Sequence, residues 1–304
     1  MAINAPRLIS LAVTLALLIA ARTSAQSAPR ANTEAPRSTR VEVWGAVTRM
    51  VAAPAGDVVS AYSPPLFFAT DFTSSGGQTL TLDGSGGLGF QGGVNIFGSA
   101  HVGAQILVDR ASADLSGANP PYTAALTYVS RPPNSPPQVV GTRQFVVWPD
   151  TTGSLVQTTI GLNGAVRAGS ARTVNVTVSG GLAVYRVSGA TQPLGFTAFR
   201  LGGHSVLFSD EYRVGVSLGP ETTVGFDIGA EVNLPVGRRS AVVIGYRYLG
   251  GPSVDVPVTP ATILNADQVV NEMSIAEMSR QFVPGPAHVG VASSRFVIGV
   301  KLSR

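Results

Sequence analysis

Three histidines, a serine beside one of them and two carboxylates four residues apart are the residues here that could do chemistry. His204-Ser205 with Asp210 supplies the nucleophile, base and acid of an acyl-transfer triad, as a lipid-modifying acyltransferase or deacylase would need. No nucleophile-elbow motif surrounds Ser205, so an exposed loop histidine is the plainer reading of His204. His101 reads as an interior hydrogen-bonding residue near the end of a strand, and His288, among prolines and glycines, shows no partner. The three are far apart and lack H-x-H or H-E-x-x-H spacing, so neither a metal nor any other cofactor is expected, and no catalytic residue is assigned.

Asp227 and Glu231 form the second constellation. Paired carboxylates serve glycoside hydrolysis. Here they fall on one face of one strand without meeting, because side chains alternate with period two. The expected role is a charge network with Arg247 on the next strand and with Arg167, Arg295 or Lys301 across an enclosed interior, since an unpaired buried charge is expensive. Ion conduction or catalysis is the competing role. Gly84 to Gly89 resembles a phosphate-cradling loop superficially, but it lacks the Lys-Ser/Thr pair and opens no helix. Glycines where a strand bends are the preferred reading.

The elements that must position these residues are strands. Val156, Thr158, Ile160 and Leu162 alternate with Gln157, Thr159 and Asn163; Val174, Val176 and Val178 with Asn175, Thr177 and Ser179; Val224, Phe226 and Ile228 with Asp227; Phe296, Ile298, Val300 and Leu302 with Arg295 and Lys301. The pattern predicts eight strands, at 41–51, 80–95, 99–110, 154–167, 173–187, 222–234, 240–249 and 294–303. Their connections alternate in length. Residues 96–98, 168–172 and 235–239 are short; 52–79, 111–153, 188–221 and 250–293 are long. In the long ones, 131–137 reads as stiff and polyproline-like, and 262–281 as an amphipathic helix.

The start of the chain carries an export pattern. Arg7 precedes an apolar run from Ile9 to Ala21, and Thr23-Ser24-Ala25 supplies small residues for cleavage. The expected organisation is a signal peptide at 1–25, a disordered tail at 26–40 and one β-domain at 41–304. Arg7 and Arg22 are two of the 21 basic residues, so the mature chain carries 19 against 17 acidic. With so small an excess, scattered rather than clustered, no nucleic-acid partner is expected. Cysteine is absent, which excludes disulfides and thiolate metal sites.

Period two does not say which face is inside. One face carries almost no charge along whole strands, as in Val102, Ala104, Ile106, Val108 and in Val242, Ile244, Tyr246, Tyr248. The other gathers Glu42, Asp83, His101, Gln105, Asp109, Gln157, Asn163, Arg167, Asn175, Asp227, Glu231, Arg247, Arg295 and Lys301. Runs of about ten such residues fit strands that cross a membrane with apolar side chains outward. Tyr246, Tyr248, Phe296 and Phe90 then fall on the lipid face, and Trp44 on the polar register.

Gly-Leu-Gly-Phe at 87–90, Val-Gly-Phe-Asp-Ile-Gly-Ala at 224–230, Ile-Gly-Tyr-Arg-Tyr at 244–248 and Arg-Phe-Val-Ile-Gly-Val-Lys-Leu at 295–302 carry a likeness. The chain resembles the eight-stranded outer-membrane β-barrel family, the class of the outer-membrane protein A transmembrane domain and its small relatives. The likeness covers most of 41–303 outside the loops. It departs at Leu302-Ser303-Arg304, where the family usually ends in an aromatic residue.

The expected protein is thus all-β, an eight-stranded antiparallel transmembrane β-barrel of a Gram-negative outer membrane, with short periplasmic turns and long extracellular loops. Its expected role is structural, or surface contact through the loops. Expected partners are outer-membrane lipid, the barrel insertion machinery and an extracellular ligand on the loops. A narrow pore, a lipid-modifying enzyme and a soluble ligand-binding barrel are the alternatives.

Overall fold

The computed structural model describes residues 39–62, 66–67, 72–118, 122–147, 150–170, 173–202, 205–265, 274–281 and 284–303. The expected signal segment and nearly all of the expected tail lie outside them. In chain order the strands are β1 (Arg40–Ala52), β2 (Gly56–Tyr62), β3 (Leu66–Phe67), β4 (Phe72–Ser85), β5 (Leu88–Phe97), β6 (Val102–Ala118), β7 (Tyr122–Ser130), β8 (Gln138–Val147), β9 (Asp150–Ala168), β10 (Asn175–Gly202), β11 (Ser205–Pro235), β12 (Ser240–Gly250), β13 (Val254–Val256), β14 (Val258–Asn265), β15 (Ala287–Val289) and β16 (Ser293–Ser303). One short helix, α1 (Ile275–Gln281), precedes β15.

Antiparallel ladders join β1 to β5, β5 to β6, β6 to β9, β9 to β10, β10 to β11, β11 to β12, β12 to β16 and β16 to β1. A row of partners can be followed through these ladders. Arg110 faces Phe90, then come Val47, Ile298, Ile244, Val232, Val176 and Ala168. Ala168 stands two residues beyond Val166, which faces Val102, so the row comes back to β6 level with residue 100, ten residues below its start. That stagger tilts strands against the common axis by about 40°.

Three tight connections share one end with Arg40 and Ser303. At 98–101 the Ser99 hydroxyl accepts from the Val102 amide at 2.9 Å. At 169–174 Gly169 takes φ 94°, which suits glycine. At 236–239 the Val236 amide donates to the Ser240 carbonyl at 3.0 Å.

The far end differs from the expected loops, for much of it is sheet. β2 pairs with β4 and β15, β4 with β7, β7 with β8, β13 with β15, and β14 with β11. β10 and β11 run on as a long hairpin. These extensions enclose an apolar core that includes Leu80, Val187, Val214, Leu218, Val256 and Val291. The predicted strand 80–95 is two strands. Gly86 and Gly87 break it, because a Cβ on Gly87 would run into the Ser112 carbonyl while the Gly87 carbonyl accepts from the Met50 amide at 2.8 Å. The glycines of 84–89 therefore mark a joint between strands. The predicted helix 262–281 is also corrected. Residues 262–265 complete β14, Ile275–Gln281 is the helical part among the described residues, and 266–273 lie outside them. Residues 131–137 turn β7 into β8, with Asn134 at φ 61°.

Candidate functional site

The ring of ladders encloses a charged interior. Period-two alternation aims one set of side chains inward, and in that set four acids meet four bases: Glu42, Asp109, Asp227 and Glu231 with Arg167, Arg247, Arg295 and Lys301, all at most 4% exposed. They stack in three tiers.

Nearest the tight turns, Arg167 Nη2 lies 2.5 Å from Glu42 Oε2, and its guanidinium stands 3.9 Å above the Phe97 ring. Lys301 Nζ reaches Glu231 Oε2 at 3.1 Å and Glu42 Oε2 at 3.9 Å. Asn233 Nδ2 donates to Asn175 Oδ1 at 3.0 Å alongside.

The middle tier is organised by Arg247. Its Nη1 pairs with Asp227, and its Nη2 reaches Glu231 Oε1 at 3.2 Å, Gln105 Oε1 at 3.0 Å and Ser179 Oγ at 3.2 Å. Asn163 Nδ2 donates to Asp227 Oδ2 at 2.9 Å, and Gln105 Nε2 to Asn95 Oδ1 at 3.0 Å. Side chains fill this interior, and glycine makes the room. A Cβ on Gly229, the ladder partner of Arg247, would lie 2.8 Å from the guanidinium carbon. One on Gly161 would lie 2.6 Å from Asp227 Oδ2.

In the upper tier Arg295 pairs with Asp109 and donates from Nη2 to Gln157 Oε1 at 2.8 Å. Gln157 Nε2 donates to the Val291 carbonyl at 2.9 Å. Above it the Tyr185 hydroxyl donates to the Phe226 carbonyl at 2.5 Å, and there the apolar far-end core begins.

All six residues assigned from sequence, Asp227, Glu231, Arg247, Arg167, Arg295 and Lys301, thus lie inside. Arg247, Asp227, Glu231 and Lys301 form one connected group, which Lys301 joins at 3.9 Å to the Glu42 carboxylate held by Arg167; Arg295 pairs separately, with Asp109. Sequence reasoning placed Glu42 and Asp109 on the polar face without giving them partners. No ladder joins either pair: in the ring β6, carrying Asp109, ladders with β5 and β9, and β1, carrying Glu42, with β5 and β16, so both acids meet their bases across the interior and strand adjacency does not reveal the pairing.

The outer face has opposite chemistry. Phe90, Leu162, Leu182 and Ile298 are exposed by 74, 65, 69 and 61%, values that turn whole apolar side chains away from the protein. Tyr246 packs edge-on against Phe296 at 5.7 Å, and Phe226 stands 6.0 Å from Tyr248. Trp44 points inward, where Gly93 leaves space beside its indole.

Asp83, expected on the inner polar face, is exposed on β4 outside the ring of ladders, where it faces Ser116, and two histidine readings are corrected as well. His101 is not interior. It sits exposed in the 98–101 turn, with Nδ1 3.0 Å from the Arg167 carbonyl oxygen, because β6 starts only at Val102. His288 has a partner, Asp255 Oδ1 at 2.8 Å, brought beside it by the β13–β15 ladder. His204 lies outside the described residues, and Ser205 and Asp210 lie on β11. Among the described residues, no group of three or more His, Asp or Glu is placed to hold a metal ion.

No family model matches the chain, and no curated protein matches it. Solved structures do. The outer membrane protein OprG from Pseudomonas aeruginosa overlaps 88% of this chain and 97% of its own at 8% identity, with a TM-score of 0.39. The beta domain of the Bordetella autotransporter Brka overlaps 87% and 99% at 12% identity and 0.19. A FadL homologue from Pseudomonas aeruginosa overlaps 87% and 90% at 8% identity and 0.21. These are loose likenesses.

Proposed function

We propose that the chain is an integral outer-membrane protein, an eight-stranded transmembrane β-barrel with a filled interior, acting as a structural element and as a platform for surface contact. The reversal of the two faces carries this reading. A water-soluble barrel turns apolar side chains inward; this ring holds eight charged groups inside and large apolar side chains outside. On β11 the outward positions from Val224 to Leu234 are Val224, Phe226, Ile228, Ala230, Val232 and Leu234. At about 2.5 Å of axial rise per tilted residue, they span about 25 Å, the height of a transmembrane barrel's apolar band. The tight turns then face the periplasm, and the built-up far end faces outside.

A conducting pore is disfavoured by the same interior. The ion pairs fill the lower part, and the apolar core closes the upper part. Surface contact belongs to the far end, where long connections have become rigid sheet and can hold a binding surface for an extracellular ligand. Outer-membrane lipid and the insertion machinery are the other partners of this reading, with no nucleic acid and no enzymatic step.

The test is fractionation of expressing cells, with the outer-membrane fraction run on a gel boiled and unboiled. Outer-membrane recovery with a heat-dependent mobility shift is expected. A soluble protein without the shift sinks the proposal, and the apolar outer face then needs another partner.

A further inference from the structure

Where the apolar outer band ends, outward positions turn basic. Arg49 on β1, Arg110 on β6 and Arg186 on β10 are exposed, each next above an outward apolar residue of its strand: Val47, Val108 and Val184. Arg110 faces Thr158 in the ladder, Thr158 faces Arg186, and Arg186 faces Thr222. Four neighbouring strands, about 5 Å apart, therefore present Arg-Thr-Arg-Thr in one row.

The stagger fixes how high this row stands. A row of partners drops ten residues in a circuit of eight strands, hence about one and a quarter residues per strand. On that scale Arg49 is within one residue of Arg110 in height, and Arg186, two strands away in the rising direction, stands about two and a half residues above it. The outward rings Phe90, Phe226, Tyr248 and Phe296 lie within two residues of the Arg110 level. Outward aromatic residues gather at the membrane interface, so these arginines stand at headgroup height. Among the described residues none of the three forms an ion pair. On the same strands and their neighbour β11, Asp114 is outward four residues above Arg110, and half-buried Glu221 has its carboxylate accept from the Thr222 amide at 3.1 Å.

We propose that Arg110, Thr158 and Arg186 bind the phosphate of an anionic lipid in the outer leaflet, with Arg49 extending the face toward β1. This rests on the transmembrane reading above. Guanidinium groups match phosphate oxygens with paired N–H donors, and the threonine hydroxyl between them adds a third donor. The apolar residues below would seat the acyl chains of the same molecule, which a free phosphate lacks.

The experiment reconstitutes the full chain into phosphatidylcholine vesicles containing one fifth phosphatidylglycerol. Flotation and the heat-dependent gel shift establish insertion first; a protein that does not float brings down both this proposal and the membrane reading. Lipids retained after mild detergent extraction are then counted by native mass spectrometry. Wild type should enrich phosphatidylglycerol over phosphatidylcholine. R110Q/R186Q should lower that enrichment about 30-fold, a factor of about five per arginine. R110K/R186K, which keeps charge without the fork, should retain part of it. R213Q, which removes an exposed arginine from the far-end part of β11, should change nothing. If R110Q/R186Q still shows the gel shift and keeps wild-type enrichment, the lipid site is wrong. It is equally wrong if millimolar inorganic phosphate removes the enrichment, since the site then takes free phosphate. Should R110Q/R186Q not insert, the enrichment of the wild type across 50–500 mM salt decides. A steep fall supports the arginine–phosphate contact, and a flat profile overturns it.

Discussion

Arg247 answers two carboxylates, a glutamine and a serine in an interior with no room to spare. Removing one partner of a buried pair leaves the other charged and unpaired, which costs about 3–5 kcal/mol. Arg247→Ala is expected to lower stability by that amount, measured by urea unfolding in lipid vesicles. Adding Asp227→Asn should recover part of the loss, because the orphaned acid is gone. Gly229 makes the complementary case: Gly229→Val puts a side chain where the guanidinium lies and should destabilise comparably. In an Arg247→Ala background the same valine should cost much less. Additive losses in that double variant would contradict the packing argument. The inward placement of the six residues was legible in the sequence because a charge on an otherwise polar, glycine-rich face is conspicuous. Who pairs with whom was not. Partnership depends on the stagger between strands, which a single chain's periodicity does not contain.

At the scale of the strand, β6 shows what the sequence reveals and what it hides. Gln105, Leu107, Asp109, Ala111, Ala113 and Leu115 point inward along its whole length, and Ile106, Val108, Arg110 and Asp114 outward. The alternation never slips, yet near residue 110 the chemistry changes sides. Below that point the outward side chains are apolar and the inward ones mostly polar, Leu107 excepted; above it the inward ones are apolar. Periodicity counts the alternation and is blind to the exchange, so the alternating runs were readable as strands while the far-end sheet passed for loops. Valines such as Val214 and Val216 fit a strand as well as Val224 does, but their neighbours suit water outside instead of lipid. The exchange sets a position-dependent penalty. Ile160→Arg on β9, at an outward site within the apolar band, should cost about 2–4 kcal/mol in vesicle unfolding. Thr158→Arg, one outward position higher and level with Arg110, should cost about 0–1 kcal/mol. Equal costs would mean the band does not end there.

For the molecule as a whole, the two interiors act in series. A solute entering from the turns meets the Arg167–Glu42 and Lys301–Glu231 contacts, then the Arg247 group, then the Arg295–Asp109 pair, and finally an apolar core. Planar-bilayer recordings should show no ohmic step for the wild-type protein. A steady conductance that survives Arg247→Met would overturn the filled-interior reading and restore the pore.

On the proposed transmembrane reading, the exchange of chemistry at one level of the strands also ties the protein to a length. Sliding outward by one strand repeat would lift Val108, Val184 and Phe90 into water; sliding inward would pull Arg49, Arg110 and Arg186 into hydrocarbon. With neither direction open, adjustment falls to the lipid, whose acyl chains must stretch or compress to meet the fixed edges. The barrel is in that sense a ruler. Its unfolding free energy should peak at one acyl length and fall on both sides when vesicles run from twelve to eighteen carbons, and its residence in a membrane of uneven thickness should follow the same preference.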